Sequence, residues 1–457
     1  MALIGIRYYN TFRRVGFVLG GLFSIAVIAL FLLFFEGEDP VVNIEKPADY
    51  IGKKGLIQYV ASDQKSGLRM LAISASQGPV TKTLYTATFP RTSYTGKIGR
   101  TEEAGSISFD IKKDGFVDGP MVLTVEAVDY SLRGWLRGNK TTVTKEVTID
   151  TQPPQLHILQ SEKYISPGGA GIAIYRLSDP QSLNGVTING VFHPGFLIGD
   201  GRTDAFIAYF ALPYDSQKIE SAFVSAVDTA GNETIVPFTP VFKGVPQKSD
   251  TISISDDFIS KKVPEFQQYY PEMKGDLLEQ YLYTNTTLRD KNNKKISELC
   301  ANPHPNRLWQ GHFQRMAGSP RAGFADHRSY MYGGKIIDKQ VHLGVDIAST
   351  ARAEIRAANK GRVVFAEYLG IYGNMVLLDH GQGIFSLYSH LSQMNVSPGD
   401  EVDKKTVIGQ TGTTGMAGGD HLHFSMLVNG IFVMPKEWWD EHWIEVTIET
   451  PLAQSKF

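Results

Sequence analysis

Residues 41–243 alternate between apolar and polar positions in short runs that are separated by Gly, Pro, Asn and Asp. Residues 123–129 and 143–149 each alternate with a period of two, which is typical of half-buried antiparallel strands. A run of Gly and Asn at 231–232 supplies residues that adopt positive φ in turns. The pattern therefore predicts a region built from short strands and tight turns.

The strand pattern of this region occurs twice in outline. Val-Glu-Ala-Val-Asp at 125–129 is followed by Asn-Lys-Thr at 139–141, and Val-Ser-Ala-Val-Asp at 224–228 is followed by Asn-Glu-Thr at 232–234. We therefore expect two β-sandwich modules, residues 41–152 and 153–243. They resemble the immunoglobulin-like modules of bacterial surface proteins.

The pattern changes to apolar residues spaced three and four apart between residues 244 and 308. This spacing predicts a short helical connector, with Asp256 and Asp276 near helix starts. The connector is either a structural strut or a segment that covers a functional site. Strand patterns resume after Gly311 and continue nearly to the end, so we expect a mainly β protein with a C-terminal domain at 309–445.

One apolar segment stands apart from this organisation. Residues 15–35 contain no charged side chain, and their length suits a helix that crosses a bilayer. The basic residues Arg7, Arg13 and Arg14 precede the segment, and Glu36, Glu38 and Asp39 follow it. This asymmetry predicts a signal-anchor with residues 1–14 in the cytoplasm and the bulk of the chain outside, in the periplasm or on the cell-wall side. A cleaved signal peptide and a buried core helix are the alternatives.

The composition of the chain limits the partners and the metal ligands that it can use. The formal net charge of −2 argues against nucleic acid as a partner, because nucleic-acid-binding proteins carry a basic surplus. Cys300 is the single cysteine, which excludes an intrachain disulfide and a cysteine-rich zinc site. A metal ion bound by this chain would therefore need histidine and carboxylate ligands.

Histidines cluster in three motifs of the C-terminal domain: His342-Leu-Gly-Val-Asp346, Tyr388-Ser-His390-Leu391 and His421-Leu-His423-Phe424. If 421–424 begins a strand, His421 and His423 share one face while Leu422 points into the core. The four-residue spacing of His342 and Asp346 fits either a helix or a strand followed by a loop. Two imidazoles and one carboxylate suit a zinc ion that keeps an open position for water, which is typical of catalytic sites.

Five segments of this domain follow one another in a fixed order: His342-Leu-Gly-Val-Asp346, Gly361-Arg-Val-Val364, Tyr388-Ser-His390-Leu391, Pro398-Gly-Asp-Glu-Val402 and Gly419-Asp-His421-Leu-His423-Phe424. Together they resemble the lysostaphin/LytM-type zinc metalloendopeptidases, which are peptidoglycan hydrolases. The resemblance implies a compact antiparallel β domain with zinc in the floor of a groove. It implies that His342, Asp346 and His423 bind the zinc ion and that His390 and His421 are catalytic.

The resemblance leads us to expect a membrane-anchored enzyme that cleaves peptide cross-links or stem peptides of peptidoglycan with zinc-activated water. Its partners would be peptidoglycan peptides and, through the N-terminal helix, the lipid bilayer. The alternatives are a catalytically silent regulator of other cell-wall hydrolases and an adhesin or structural wall protein. Two further expectations concern neighbouring residues: Arg328 lines the groove, and Tyr388 contributes to packing.

The resemblance also implies a form of latency, because upstream segments in this family often supply the fourth zinc ligand. Asn302 and His304 are suitable donors in the connector. On this hypothesis, deleting residues 245–305 raises activity.

Overall fold

The structure is a computed structural model that describes residues 2–34, 37–93, 98–133, 137–199 and 201–455, without the side chains of 2–11 and 30–34. Phe35 and Glu36, which the sequence places at the end of the apolar segment, lie outside the described residues. The chain divides into two compact units: Met1–Pro153 with Thr229–Asn232, and Pro154–Asp228 with Glu233–Phe457.

Helix α1 (Ala2–Phe34) contains residues 15–34 of the predicted apolar segment and begins well before it. The described residues include this one helix whose length and composition would allow it to cross a membrane, with Phe12–Ala29 as its most apolar window. Side chains along this window are exposed to solvent. An exposed apolar surface of this length is typical of a membrane span or of a signal sequence.

The described residues of the first unit form eight strands in two sheets. Strands β1, β3 and β6 form one sheet in the order β1-β3-β6, and the other five form a sheet in the order β2-β8-β7-β4-β5. Strands β7 and β8 pair antiparallel, which confirms the strands predicted at 123–129 and 143–149. The bounds are β1 Val41–Lys46, β2 Tyr50–Ile51, β3 Lys54–Ser62, β4 Leu68–Gln77, β5 Val80–Thr88, β6 Glu102–Asp110, β7 Gly119–Asp129 and β8 Lys140–Ile149.

The second unit begins with two four-stranded sheets in the orders β14-β15-β11-β9 and β13-β12-β16-β17, and with a short parallel pair of β10 and β18. The bounds are β9 Leu156–Ser161, β10 Tyr164–Ile165, β11 Ala170–Leu177, β12 Leu183–Ile188, β13 Val191–Pro194, β14 Phe196–Leu197, β15 Ala205–Ala211, β16 Ala222–Val227, β17 Glu233–Pro237 and β18 Val241–Phe242.

Strands β11 and β15 are buried on both faces. One face packs inside this region, and the other carries Ile172, Ile174 and Tyr209 into a core that also contains Trp309 and Phe313. Strands covered on both sides are typically continuous apolar runs, as β15 is. This strand region and the C-terminal domain therefore share one hydrophobic core.

The connector contains strand β19 (Ser249–Ser253) and helices α2 (Asp256–Tyr269), α3 (Leu277–Tyr283) and α4 (Arg289–Leu299), and a π-helical turn joins α3 to α4. Ser255 caps α2, and Asp276 forms a capping box with Glu279 at the start of α3. Ile259, Val263 and Phe266 of α2 pack in one core with Tyr281 of α3 and Tyr330 of the C-terminal domain. The connector is therefore helical, as the spacing of apolar residues predicted.

The C-terminal domain is built on a large antiparallel sheet in the order β20-β23-β31-β27-β26-β25-β29, with β32 paired to β31. Smaller sheets, β19-β21-β22 and β24-β30-β28, flank it. The bounds are β20 Ser319–Ala322, β21 Asp326–Tyr332, β22 Lys335–His342, β23 Val345–Ala348, β24 Glu354–Arg356, β25 Gly361–Tyr368, β26 Asn374–Asp379, β27 Ile384–Leu391, β28 Gln393–Met394, β29 Glu401–Val402, β30 Val407–Gln410, β31 Leu422–Val428 and β32 Ile431–Val433.

The chain ends in helices, so the prediction of strands nearly to the terminus is wrong there. Helices α5 (Pro435–Trp439), α6 (Glu441–Ile444) and α7 (Thr450–Gln454) follow β32. Proline is favoured in the first turn of a helix, where Pro435 stands. A π-helical turn, Glu445–Glu449, joins α6 to α7, and Ile444 and Ile448 are both buried in the shared core.

Candidate functional site

Three strand ends bring the first and third histidine motifs together. His342 is the last residue of β22, Asp346 lies in β23, and His423 lies in β31. Strands β23 and β31 pair antiparallel with Asp346 directly opposite His423. The segment from His342 to Asp346 is therefore a strand, a turn and a strand, which resolves the conformation that the sequence left open.

Gly344 in this turn leaves room for the neighbouring imidazole. A Cβ atom at this position would lie 2.5 Å from His423 Nε2 and 2.6 Å from Ser425 Oγ. Such distances are far below van der Waals contact, so a larger residue would displace His423. The glycine of the first motif is thus explained by the position of the third.

His342, Asp346 and His423 converge on one point. His342 Nε2 lies 3.0 Å from Asp346 Oδ1 and 2.9 Å from His423 Nδ1. His423 Nδ1 lies 2.9 Å from the same carboxylate oxygen. All three residues are buried, and their potential ligand atoms lie within 4.8 Å of one another.

The outer nitrogen of each converging imidazole is already engaged. His342 Nδ1 lies 2.7 Å from the carbonyl oxygen of Gly323, so this nitrogen donates its proton there. His423 Nε2 lies 3.1 Å from Ser425 Oγ, and the hydroxyl of Ser425 donates to the carbonyl of Leu343. Such contacts hold the rings in place and leave the inner nitrogens as lone-pair donors. The residues therefore fit a zinc ion, which favours imidazole nitrogen and carboxylate oxygen.

His421 and His390 lie beside this group. His421 Nδ1 is 2.7 Å from the carbonyl oxygen of Gly419, and His421 Nε2 is 3.5 Å from Asp346 Oδ1. His390 Nδ1 is 2.8 Å from the carbonyl oxygen of Thr414. The ring centroids of His390 and His421 are 4.9 Å apart. Both histidines thus turn one ring nitrogen away from a backbone carbonyl and toward the same space.

His390 has an uncommon backbone conformation with φ of +64°. A non-glycine residue in this left-handed region is strained by the approach of its Cβ to the backbone, and such strain occurs often at functional sites. The residue is the penultimate residue of β27.

Arg328 of β21 pairs with the second carboxylate oxygen of Asp346, with Nη2 3.3 Å from Oδ2. Burial raises the pKa of the Asp346 carboxyl, but the neighbouring imidazoles of His342, His421 and His423 outweigh that effect and hold this pKa well below its usual range. The carboxylate is therefore ionised.

The imidazoles differ in their electrostatic surroundings. Burial lowers the pKa of His423 to about 4, and burial with the repulsion of the neighbouring histidines lowers the pKa of His390 well below its usual value. Burial opposes protonation of His421 as well, yet its contact with Asp346 raises the pKa of His421 overall.

A cavity of about 840 Å³ opens above these residues. One side is formed by the strands of the C-terminal domain, including Arg328 as the sequence predicted. Tyr372 also lines it, with its ring centroid 5.8 Å from that of His423. Residues of β19 and α2 of the connector line the cavity as well. The connector therefore contributes to the candidate site.

The proposed fourth ligands from the connector do not reach this cavity. The ring of His304 contacts the carbonyl oxygen of Asn306, and its backbone N–H donates to Asp379. Neither Asn302 nor His304 is among the residues that line the cavity. The hypothesis of a ligand from these two residues is wrong for this structure, because the chain at 302–306 is held at the far end of β26.

Three other residues named in the sequence analysis are buried and lie outside the candidate site. The Tyr388 hydroxyl accepts the N–H of Ala358 and lies in the core, which confirms a packing role. Leu422 lies in the same core, as strand alternation predicted. Cys300 is buried, and burial raises the pKa of its thiol.

Some neighbours of His342, Asp346 and His423 were not predicted from the sequence. Ser425 stands two residues after His423 on the same strand face, so strand alternation could have identified it. Gly323 and Tyr372 carry no local signal, because they approach the histidines only through the folding of β21, β22 and the turn before β26.

Residues 340–435 match the sequence profile of Peptidase family M23. The chain is 35% identical over 112 residues to the DD-carboxypeptidase/endopeptidase Mpg of Neisseria meningitidis serogroup B, which is 24% of each chain. It is 33% identical over 134 residues to the peptidoglycan DD-endopeptidase ShyC of Vibrio cholerae, or 29% of this chain and 28% of ShyC.

A third relative differs in its named role. The murein hydrolase activator EnvC of Escherichia coli is 31% identical over 109 residues, or 24% of this chain and 26% of EnvC. The chain thus spans about a quarter of the length of the curated relatives that it matches. All three similarities confirm the resemblance of the C-terminal part to the lysostaphin/LytM type: residues 340–435 form a Peptidase family M23 domain.

Proposed function

We propose that this protein is a zinc metalloendopeptidase that hydrolyses peptide bonds of peptidoglycan, with His342, Asp346 and His423 as the zinc ligands. The observation that carries the proposal is the convergence of three buried donor atoms whose outer hydrogen-bonding positions are already engaged. This group lies at the base of a cavity large enough for a peptide segment.

His390 and His421 are the proposed catalytic residues. When bound, a zinc ion would supply Lewis acidity toward water and a peptide carbonyl. One of the two imidazoles accepts a proton from the attacking water and passes it to the leaving amine. The other donates a hydrogen bond to the oxygen that becomes negative in the tetrahedral intermediate. The carbonyls of Thr414 and Gly419 fix the orientation of both rings for these roles.

The substrate class is supported by the relatives. ShyC is named as a peptidoglycan DD-endopeptidase, and it is similar to this chain over 134 residues. The substrates would be cross-links or stem peptides of peptidoglycan, which are extended peptides that can lie along a cavity open to solvent.

Peptidoglycan lies outside the cytoplasmic membrane, so the catalytic domain must be extracytoplasmic to reach it. Helix α1 would serve as a single-pass anchor with its N-terminus in the cytoplasm. The strand regions at 41–152 and 153–243 would form two immunoglobulin-like β-sandwich modules between the anchor and the connector at 244–308. The peptidase domain would then occupy residues 309–445.

The test uses the full chain, purified and loaded with zinc, on isolated peptidoglycan. We expect release of muropeptides with new amino termini, loss of release after chelation, and recovery when zinc is restored. The variant His442→Ala is a matched control, because this histidine is exposed on a C-terminal helix outside the cavity. Intact peptidoglycan after incubation with a zinc-loaded protein would exclude the proposed activity.

A second candidate function is that of an activator of other cell-wall hydrolases. The similarity to EnvC, a murein hydrolase activator, is the observation that favours it. An assay that contains a second cell-wall hydrolase distinguishes the two functions. If this protein is an activator, it stimulates a wall amidase or endopeptidase in trans, and the His423→Ala variant stimulates it to the same extent as wild type. The complete set of His342, Asp346, His390, His421 and His423 around one cavity favours the enzyme.

A further inference from the structure

Helix α2 contacts the loop that precedes the third histidine motif. This loop, residues 412–419, carries Thr413, Thr414 and Gly418 into the lining of the cavity. Glu265 Oε1 accepts the backbone N–H of Gly415 at 2.5 Å and the hydroxyl of Tyr368 at 3.2 Å. An N–H that donates to a carboxylate makes a stronger hydrogen bond than one that donates to a neutral oxygen.

Lys262 makes a second contact one turn earlier on the same helix face. Its Nζ donates to the carbonyl oxygen of Thr413 and lies 3.4 Å from Glu265 Oε2. Only 12% of the Lys262 side chain and 27% of the Glu265 side chain are exposed. An ion pair in a partly buried position is screened by solvent less than a surface pair. The two side chains thus hold the backbone on either side of Thr414.

Thr414 is also the residue that orients His390. The carbonyl oxygen of Thr414 accepts a hydrogen bond from His390 Nδ1. Its hydroxyl donates to the carbonyl oxygen of Leu391, the residue that follows His390. Gly415 has φ of +67°, and a Cβ there would lie 2.3 Å from the backbone nitrogen of Gly373. The loop therefore packs against α2 on one side and against the turn before β26 on the other.

Helix α2 is itself firmly packed. Ile259, Val263 and Phe266 are buried, and the ring of Tyr269 stacks on Tyr368 with a centroid distance of 3.7 Å. A segment that only covered a site would have few buried apolar contacts with the domain that it covers. Helix α2 instead contacts the loop whose Thr414 carbonyl accepts a hydrogen bond from His390.

We propose that α2 is a permanent part of the active site and that Lys262 and Glu265 are positioning residues, which fix the orientation of His390 through the Thr413–Gly415 backbone. This inference rests on the proposed function for its catalytic consequence. It reverses the expectation for the connector: removing these contacts lowers peptidase activity, whereas removing an inhibitory cover raises it. A displacement of a catalytic group by about 1 Å can cost as much as 10²-fold in rate.

The experiment compares full-length variants. Glu265→Ala removes the acceptor for Gly415, and Lys262→Met removes the donor to Thr413 while it keeps the length of the side chain. Each is expected to lower kcat by about tenfold, with KM changed less than twofold and with zinc content unchanged. Glu265→Gln keeps an acceptor oxygen and is expected to retain most of the activity. Glu298→Ala is the control, since this glutamate is exposed on α4 outside the cavity.

A second measurement does not depend on activity. The amide of Gly415 donates to Glu265, so its hydrogen exchange is expected to accelerate in Glu265→Ala and to stay slow in Glu265→Gln and Glu298→Ala. If the Gly415 exchange rate is the same in all variants, the positioning role is wrong. An unchanged or higher kcat in Glu265→Ala and Lys262→Met would equally overturn it. If wild type shows no peptidase activity, the proposed function fails while the exchange comparison still decides whether α2 orders the loop.

Discussion

The cavity of the M23 domain has two sides of different origin. On the strand side, two of the four imidazoles are held by a residue two positions away in sequence: His421 contacts Gly419, and His423 contacts Ser425. On the helix side, Lys262 and Glu265 contact a loop that lies 150 residues further along the chain. The strand side thus holds groups suited to bond cleavage, and the helix side holds the loop that places one of them. A local sequence pattern therefore encodes part of the first side, whereas only the tertiary fold creates the second.

The largest expected effect is on the strand side. His423→Ala removes one of three proposed zinc ligands and leaves Asp346 facing a gap, so we expect loss of stoichiometric zinc and a decrease of at least about 10³-fold in muropeptide release. Metal content by mass spectrometry and release of soluble muropeptides measure the two effects. His442→Ala, treated in parallel, should keep both. Full zinc content in His423→Ala would show that the metal binds elsewhere.

A smaller effect is expected at the second contact of Asp346. Arg328→Met removes the guanidinium group that holds Oδ2 and frees the carboxylate to rotate, so zinc affinity should fall by about 10–100-fold. Competition with a chromogenic chelator measures the affinity. Arg352→Met serves as the control, since the Arg352 side chain lies outside the cavity lining. Equal affinities in the two variants would mean that Arg328 does not orient the ligand.

The smallest effect concerns the core beneath β27. Burial lowers the pKa of His380 to about 4, and its ring bonds to the carbonyl of Lys360 and to Ser386. Between about pH 6.5 and pH 4, the imidazole binds a proton in the unfolded chain but not in the folded chain. The contribution of His380 to the free energy of unfolding is therefore complete above about pH 6.5 and is lost as the pH falls toward 4. In His380→Asn, the slope of unfolding free energy against pH in this window should decrease by as much as about 1.4 kcal/mol per pH unit.

Urea denaturation followed by tryptophan fluorescence measures this slope, because Trp309 and Trp438 are buried in the core of the same unit. His442→Asn is the matched control, with an exposed imidazole. A slope in His380→Asn that equals that of wild type would contradict the assignment of His380 as a neutral core histidine.

The sequence predicted those parts of the fold that depend on interactions between residues near one another in the chain. Period-two alternation identified β7 and β8, and apolar spacing identified the connector helices with Asp276 as a cap. The helices from Pro435 onward were missed, because helices of about one turn show no helical period in the sequence and are stabilised by tertiary burial, here of Trp438 and Ile444.

The candidate site likewise contains residues that the sequence predicted and residues that only the tertiary structure identifies. The five residues of the histidine motifs were named from the sequence, and the structure arranges them around one cavity. The hypothesis of Asn302 and His304 as ligands was wrong, since distance along the chain carries no information on which part of a connector returns to a site. Lys262 and Glu265 have ordinary helical surroundings in sequence, and only their contacts with Thr413 and Gly415 set them apart.

The most direct test of a catalytic zinc site is muropeptide analysis of one peptidoglycan preparation digested by wild type and by His421→Ala. His421 is outside the proposed ligand set, so the variant should keep its zinc while its rate falls by about 10²–10⁴-fold through loss of proton transfer or oxyanion stabilisation. We expect new peptide termini with wild type and almost none with the zinc-loaded variant. Equal digestion by the two proteins would contradict this expectation.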